Sequence, residues 1–274
     1  MSDARRWREL NRANWDERAH IHVGPTSDYD LTALRAGRGK LNAIEEAELG
    51  DVRGLRVLHL QCHFGADTLV LAQRGASVVG LDFSPVAIET ARKLGADLGL
   101  DARFVLADLY DAPTAIPEPA SFDLMYVTWG ATCWLPDIRR WAGIVASFLK
   151  PGGRLYYADH HPTAFIFDDE VRLADGKPGY FVPYLGRQPL VLVEHKDYAD
   201  PTAHLANATT MQWLHPLSDI VGGLIEAGLR LDWLHEHAQV PWRMFQMLVQ
   251  KDDGDWHWPD KPWLPLALSL QATR

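Results

Sequence analysis

The chain has 274 residues, 47% of them hydrophobic and 23% charged, which is ordinary globular composition with ample material for a core. Its formal net charge of −9 repels phosphate backbones and argues against nucleic acid as the primary substrate. No stretch approaches the ~18 apolar residues of a membrane span, the N-terminus lacks a signal-type apolar run, and two cysteines are too few for a disulfide framework, so a cytoplasmic protein with reduced thiols is expected.

In chain order, residues 11–30 (NRANWDERAHIHVGPTSDYD) predict a helix followed by a Gly-Pro loop, and Arg5, Arg6 and Arg8 fit one exposed face ahead of it. From about 55 to 160, short apolar strands alternate with helices. LRVLHL (55–60) is a strand and ADTLVLAQRG (66–75) a helix stopped by Gly75. ASVVGLD (76–82) is a second strand; the helix over 84–99 follows, with Ser84 as N-cap and Pro85 at its first position. Strands over 102–108 and 121–129 come next. An amphipathic helix over 137–150 is closed by Pro151, Gly152 and Gly153, and RLYYAD (154–159) is a fifth strand. Strands separated by helix-length segments pair in parallel through right-handed crossovers, so a doubly wound α/β sheet is predicted. Near-continuous apolar strands such as FDLMYV agree, being covered on both faces.

Beyond 160 the pattern changes. Residues 191–198 and 207–214 predict a β-hairpin, 216–228 a helix, and 229–237 and 264–273 two more strands. No repeat or linker interrupts the chain. A single domain is expected, with an N-terminal helical lid (1–50), a core (51–160), a substrate-cover insertion (161–215) and a C-terminal helix and strands (216–274).

Ligands of open α/β sheets lie beyond the carboxyl ends of the strands. There the first strand runs into the loop Gln61-Cys62-His63-Phe64-Gly65. The second ends on Asp82, whose carboxylate can accept from both hydroxyls of a ribose. The third ends near Asp108, placed to meet an adenine amino group. Three such strand ends describe an adenosine site. A dinucleotide fingerprint needs glycines so that backbone can approach a diphosphate, and Gln61, His63 and Phe64 are bulky. An adenosyl cofactor without phosphates fits better.

VLHLQCHFG, VVGLDFS, ADLY, FDLMYVTWG and LKPGG stand in the order of the motifs of class I S-adenosylmethionine (SAM)-dependent methyltransferases, which this chain resembles over about 55–160 and again over 216–237. The resemblance implies a Rossmann-like, mostly parallel seven-stranded sheet with an antiparallel last strand supplied by 264–273. It implies SAM as cofactor, S-adenosylhomocysteine (SAH) as product, and a small-molecule methyl acceptor. Gln61, Cys62, His63 and Gly65 would form the cofactor loop. Phe83 and Leu109 would flank the adenine, Thr128 and Trp129 would lie near the methionine moiety, and Trp15 or Tyr29 in the lid would face the sulfonium, where an aromatic face attracts a cation. The chain departs from the family in the first motif, where His59, Gln61 and His63 replace the usual acid and two glycines.

Methyl transfer from a sulfonium needs no general acid, but a hydroxyl or protonated amine acceptor needs a base. His161, then His160, just after the fifth strand, are the candidates, and His63 could reach substrate. No metal site is expected: His59 and His63 straddle a turn, and His235 and His237 form a lone strand pair. The aromatic residues Phe165, Phe167, Tyr180, Tyr184 and Trp213 suggest a cover with apolar walls. A homodimer is left open. Two other readings fit the same sheet, a SAM- or SAH-binding subunit without catalysis and a nucleotide-dependent oxidoreductase.

Overall fold

The computed structural model describes residues 3–175, 177–200 and 202–274, without the side chains of 3–5, 170 and 172. Helices α1 (Asp3–His22), α2 (Thr32–Arg35) and α3 (Ala43–Glu48) precede strand β1 (Arg56–Leu60). Then come α4 (Ala66–Gln73), β2 (Ser77–Asp82), α5 (Pro85–Asp97), β3 (Ala102–Leu106), α6 (Ala112–Ala115), β4 (Phe122–Thr128), α7 (Ile138–Phe148) and β5 (Leu149–His160). The short strands β6 (Phe167–Arg172), β7 (Pro178–Tyr180), β8 (Leu190–Val193) and β9 (Thr209–Gln212) lead to α8 (Leu217–Glu226). The chain closes with β10 (Arg230–His237), β11 (Gln239–Val240), β12 (Val249–Gln250), β13 (Trp256–His257) and β14 (Ala267–Thr273).

Seven strands form the central sheet in the order β10-β14-β5-β4-β1-β2-β3. The pairs β1–β2, β2–β3, β1–β4 and β4–β5 are parallel. The last strand of the chain, β14, slots antiparallel between β5 and β10. The sequence-based fold is therefore realised, with its reversed strand inside the sheet rather than at its rim.

Alternation along each strand builds two cores. Leu58, Leu60, Val79, Leu81, Met125, Val127, Leu155 and Tyr157 face α7 and α8, where Trp141 is fully buried. Val57, Val78, Leu124, Tyr126 and Tyr156 face α4 and α5. Successive strand side chains point to opposite faces, so a sheet covered on both sides must be apolar at nearly every position. Ser84 caps α5 as expected, its Oγ accepting from the Ala87 amide at 3.1 Å ahead of Pro85.

Three local expectations are corrected. Helix α7 ends at Phe148, two residues early, because Leu149 is already extended and pairs with Phe122; the Lys150–Gly153 stretch belongs to β5. The hairpin is shorter than its sequence pattern, with β8 and β9 paired from Leu190↔Gln212 to Val193↔Thr209. The basic face of α1 is not free: Arg6 is exposed, but Arg8 pairs with Asp108 at 3.1 Å, and the side chain of Arg5 lies outside the described residues. Among the described residues no helix is long and apolar enough to cross a membrane.

Candidate active site beneath the N-terminal helix

Helix α1 lies across the carboxyl ends of the parallel strands. Its Asp16 accepts from Ser84 Oγ at 2.5 Å, beside the tip of β2, and Arg8 meets Asp108 beyond β3. Eight residues of helix separate the two contacts, ~12 Å at 1.5 Å per residue. Asp82 and Asp108 therefore sit under one helix, at the ends of neighbouring strands.

Asp82 is buried. Its Oδ2 accepts from the His63 amide and its Oδ1 from the Ser84 amide, both at 2.9 Å. Burial pushes its pKa up to about 6 against the pull of those amides, and Asp16 adds to the rise. Asp108 accepts from the Tyr110 amide at 2.9 Å, and burial raises it too, although Tyr110 and Arg8 oppose the shift. Phe83 is half-buried next to Asp82, and Leu109 is buried at the start of a short 3-10 turn beside Asp108.

The loop after β1 departs from ordinary backbone where the sequence departs from the methyltransferase pattern. Gln61 and His63 have φ of 57° and 51°. Such left-handed conformations cost a side-chain-bearing residue of order 1–3 kcal/mol and tend to mark functional loops. Gly65, at φ 78°, is needed twice over, because a Cβ there would lie 2.6 Å from the Phe104 ring. Gln61 donates to the Ala131 carbonyl at 2.7 Å, while its Oε1 is buried without a partner. Cys62 points into the core, where a Cβ on Gly80 would sit 2.8 Å from its Sγ, so only its backbone borders the cleft. Burial pushes its thiol well up, which keeps it neutral.

His59 takes no part in the cleft. It is buried, bonded to Thr68 Oγ1 at 2.8 Å, and burial drops its pKa to about 3. Carboxylates from elsewhere stand in the neighbourhood. Glu45, on α3, accepts from Trp129 Nε1 at 2.6 Å and from the Tyr126 hydroxyl; burial, then the charge of Asp67, raise its pKa to about 7. Asp67 is itself pushed up to about 6 by burial. Trp129 is held at φ 48° one residue past the buried Thr128.

Helix α1 and the segment after it bring Trp15 and Tyr29 to the loop. Trp15 stands edge-on to His63 at 5.1 Å and to Trp134 at 5.3 Å; Tyr29 stands edge-on to Phe64 at 5.2 Å. His22 and Asp197, which sequence reasoning missed, complete the assembly. His22 Nδ1 lies 2.8 Å from His63 Nε2, and His22 Nε2 lies 3.1 Å from both oxygens of Asp197. Arg18 holds the same carboxylate at 2.8 Å. On α1, Trp15, Arg18 and His22 share a face at i, i+3 and i+7, a spacing readable in the sequence. Asp197 carries no local signal.

The two histidines after β5 differ in setting. His161 is 2% exposed, with Nδ1 at 2.6 Å from Thr163 Oγ1 and Nε2 at 3.1 Å from Glu236. His160 is stacked on Phe165 at 5.0 Å, with Nδ1 3.0 Å from Asp159. Asp159 also accepts from the amides of Gly130 (2.6 Å) and Ala131 (3.1 Å), which fixes the loop after β4. Burial opposes ionisation of Asp159, but His160 and these amides hold its pKa below the usual range. A small cavity is lined by Thr132, Cys133, Tyr157, His160 and Trp213. Of the aromatic residues after β5, Trp213 lines this cavity and Phe165 stacks on His160. Phe167 and Tyr180 stack on each other in the β6–β7 hairpin, with Tyr180 75% exposed, and the Tyr184 hydroxyl accepts from the Leu217 amide at 3.0 Å.

A phosphate-free adenosyl sulfonium suits this donor set. Asp82 is a buried acceptor with lone pairs to spare. The loop has an orphaned carbonyl at Gln61 and no glycine cradle for a diphosphate, and Glu45 and Asp67 favour a cation. Residues 57–153 match the family described as a methyltransferase domain. The chain is 29% identical over 205 residues to a ubiquinone biosynthesis O-methyltransferase of Xylella fastidiosa, covering 73% of this chain and 71% of the relative. It is 32% identical over 129 residues to a phthiotriol/phenolphthiotriol dimycocerosates methyltransferase of Mycobacterium leprae, covering 46% of each. The fold is shared with a SAM-dependent methyltransferase from Mesorhizobium loti, at a TM-score of 0.59 and 23% identity over 84% of this chain and 96% of that one. It is also shared with a geranyl diphosphate C-methyltransferase from Streptomyces coelicolor, at 0.53 and 13% over 85% and 78%. Fold, site and family together define a Rossmann-like methyltransferase. Residues 57–153 carry a methyltransferase domain, and the chain is a methyltransferase with SAM as its cofactor.

Proposed function

We propose that this enzyme methylates a hydroxyl oxygen on a small, flat, largely apolar molecule held beneath α1. The observation that carries the acceptor reading is the aromatic side chains around the strand ends: Trp15 edge-on to Trp134 over the cofactor loop, and His160 stacked on Phe165 beside the cavity that Trp213 lines. Flat walls of this kind bind planar apolar bodies, with a few polar groups to fix orientation. The relatives named for ubiquinone biosynthesis and for demethylmenaquinone methylation support the same class.

When bound, SAM supplies an electrophilic methyl group on a sulfonium whose leaving group is a neutral thioether. The protein's tasks are to hold that group, to align the acceptor and to exclude water. Asp82 grips the ribose hydroxyls, and Asp108, with Leu109 and Phe83, frames the adenine. Gln61, Thr128 and Trp129 border the methionine end, with the backbone of Cys62, His63 and Gly65 beneath it. Trp15 and Tyr29 close over the sulfonium, an attraction worth about 0.5–2 kcal/mol for a cation on an aromatic face. His160, steadied by Asp159, orients the acceptor at the far wall, while His161 braces the turn through Thr163 and Glu236.

Radiolabelled SAM incubated with matched panels of phenols and catechols, aliphatic alcohols, amines and thiols tests the acceptor. Labelled product is expected from the hydroxylated aromatics. Product confined to amines or thiols overturns the oxygen assignment and leaves the cofactor site standing.

A further inference from the structure

His63 occupies a loop position whose φ of 51° suits glycine, and its ring is committed to a three-membered chain drawn from separate parts of the sequence. The cofactor loop gives His63, the end of α1 gives His22, and the segment after β8 gives Asp197. The side chains of His22 and Asp197 are fully buried. Arg18, itself buried, is bonded to Asp197 and so favours its ionised form.

An ionised carboxylate only accepts hydrogen bonds. Both Asp197 oxygens lie 3.1 Å from His22 Nε2, so that nitrogen carries the hydrogen. In a neutral ring the other nitrogen, Nδ1, is then an acceptor. With His22 neutral, the hydrogen in the 2.8 Å contact between His22 and His63 comes from His63 Nε2. That leaves His63 Nδ1 with a free lone pair, in a ring flanked by Trp15, Tyr29 and Phe64.

We propose that His63 is the proton acceptor for methyl transfer, with His22 and Asp197 as positioning residues that fix its tautomer. This rests on the methyltransferase reading above. As the acceptor oxygen's electron pair forms the O–CH3 bond and the C–S electrons remain on sulfur, the O–H proton passes to His63 Nδ1. The imidazolium so formed is hydrogen-bonded through Nε2 to His22 and, through it, to the Asp197 carboxylate. His63 is where it is because its loop runs beside the Asp82 tip, touching that carboxylate through its own amide. A base there stands on the cofactor loop itself, whereas His160 lines a separate small cavity after β5.

His22 and Trp15 from α1, Tyr29 from the loop after it and Phe64 face His63, and behind His22 stand Asp197, Tyr198 and the Arg18 guanidinium bound to Asp197. Burial foremost holds the His63 ring well below the usual histidine range, against the pull of Asp197. The ring is thus neutral at physiological pH, and its activity should persist as pH falls through about 6.5, where an ordinary histidine would be lost.

The decisive variant is His63→Gly, which suits the positive φ and retains the amide that meets Asp82. Nitrogen-15 NMR of the histidines in the SAH-bound full chain reads the tautomers without needing an acceptor. Hydrogen on Nε2 of both His22 and His63 is expected, with the His22 assignment disturbed in Asp197→Asn. SAH affinity of His63→Gly should stay within about threefold of the parent. Turnover of the hydroxyaromatic that labels best should fall 100-fold or more, with partial recovery on adding imidazole. Hydrogen on Nδ1 of His63, or turnover of His63→Gly within threefold of the parent, overturns the proposal. Loss of SAH binding in the parent protein overturns instead the reading it rests on.

Discussion

The sheet and the helix laid over its strand ends are held by opposite chemistry. Between the sheet and α7 the contacts are apolar, with Trp141, Val145 and Phe148 packed on Leu155, Tyr157 and their neighbours. Between α1 and the hairpin they are mainly polar. Asn11 both donates to the Met211 carbonyl and accepts from its amide, each at 2.8 Å; Asn14 donates to the Asn207 carbonyl at 2.7 Å; Glu17 accepts from the amides of Ala206 and Asn207 at 2.8 Å. Apolar packing makes the sheet a platform, whereas directional hydrogen bonds tie α1 and the hairpin together as a cover on its strand ends, each bond contributing only about 0.5–1.5 kcal/mol net because water replaces it when it breaks.

Substitutions should separate the two regions. Trp141→Ala deletes a fully buried indole beneath the sheet, and calorimetric unfolding should show a loss of about 3–5 kcal/mol. Asn11→Ala leaves the Met211 amide and carbonyl without their partner, and about 1–3 kcal/mol should be lost. That loss should appear as faster hydrogen exchange of α1 and the hairpin rather than as lower global stability. If the two variants give the same exchange pattern, the platform and cover are one cooperative unit and the contrast fails.

A smaller effect concerns protons. Asp82 is raised to about 6 in the folded chain from an ordinary value near 3.8. Between those values the folded state binds more protons than the unfolded, so this group's contribution to stability falls as pH rises from about 4 to 6. Ribose hydroxyls donate more strongly to the ionised form, which accepts at both oxygens, so SAH should bind more tightly as pH rises through 6 and should release protons on binding there. Titrations in buffers of different ionisation enthalpy measure that release. Asp82→Asn should abolish it, and an unchanged release would place the titrating group elsewhere.

Most of the sheet was legible because a parallel strand buried on both faces writes itself as a run of apolar residues, and helix ends are marked by Ser84, Pro85 and Gly75. The strand-tip acids, Asp82 and Asp108, were legible for the same reason, since each ends a run. The relay was only half legible. Trp15, Arg18 and His22 share a helical face, but Asp197 reaches them from 175 residues beyond His22 through a hairpin whose register no local pattern encodes. The early end of α7 was hidden because Lys150 and Pro151 read equally well as a helix stop or as the first turn of a strand. The fate of His59 was hidden too: whether a strand histidine faces a cleft or a core depends on what packs above it, here Thr68 and Tyr126.

The whole account depends on Asp82 holding the cofactor's ribose. Titration calorimetry of SAH against the full chain and against Asp82→Ala tests it directly. At neutral pH the parent should bind SAH and not NAD, and the variant should bind at least tenfold more weakly, about 1.4 kcal/mol or more, with its melting temperature preserved. Equal SAH affinity in the two proteins would contradict it.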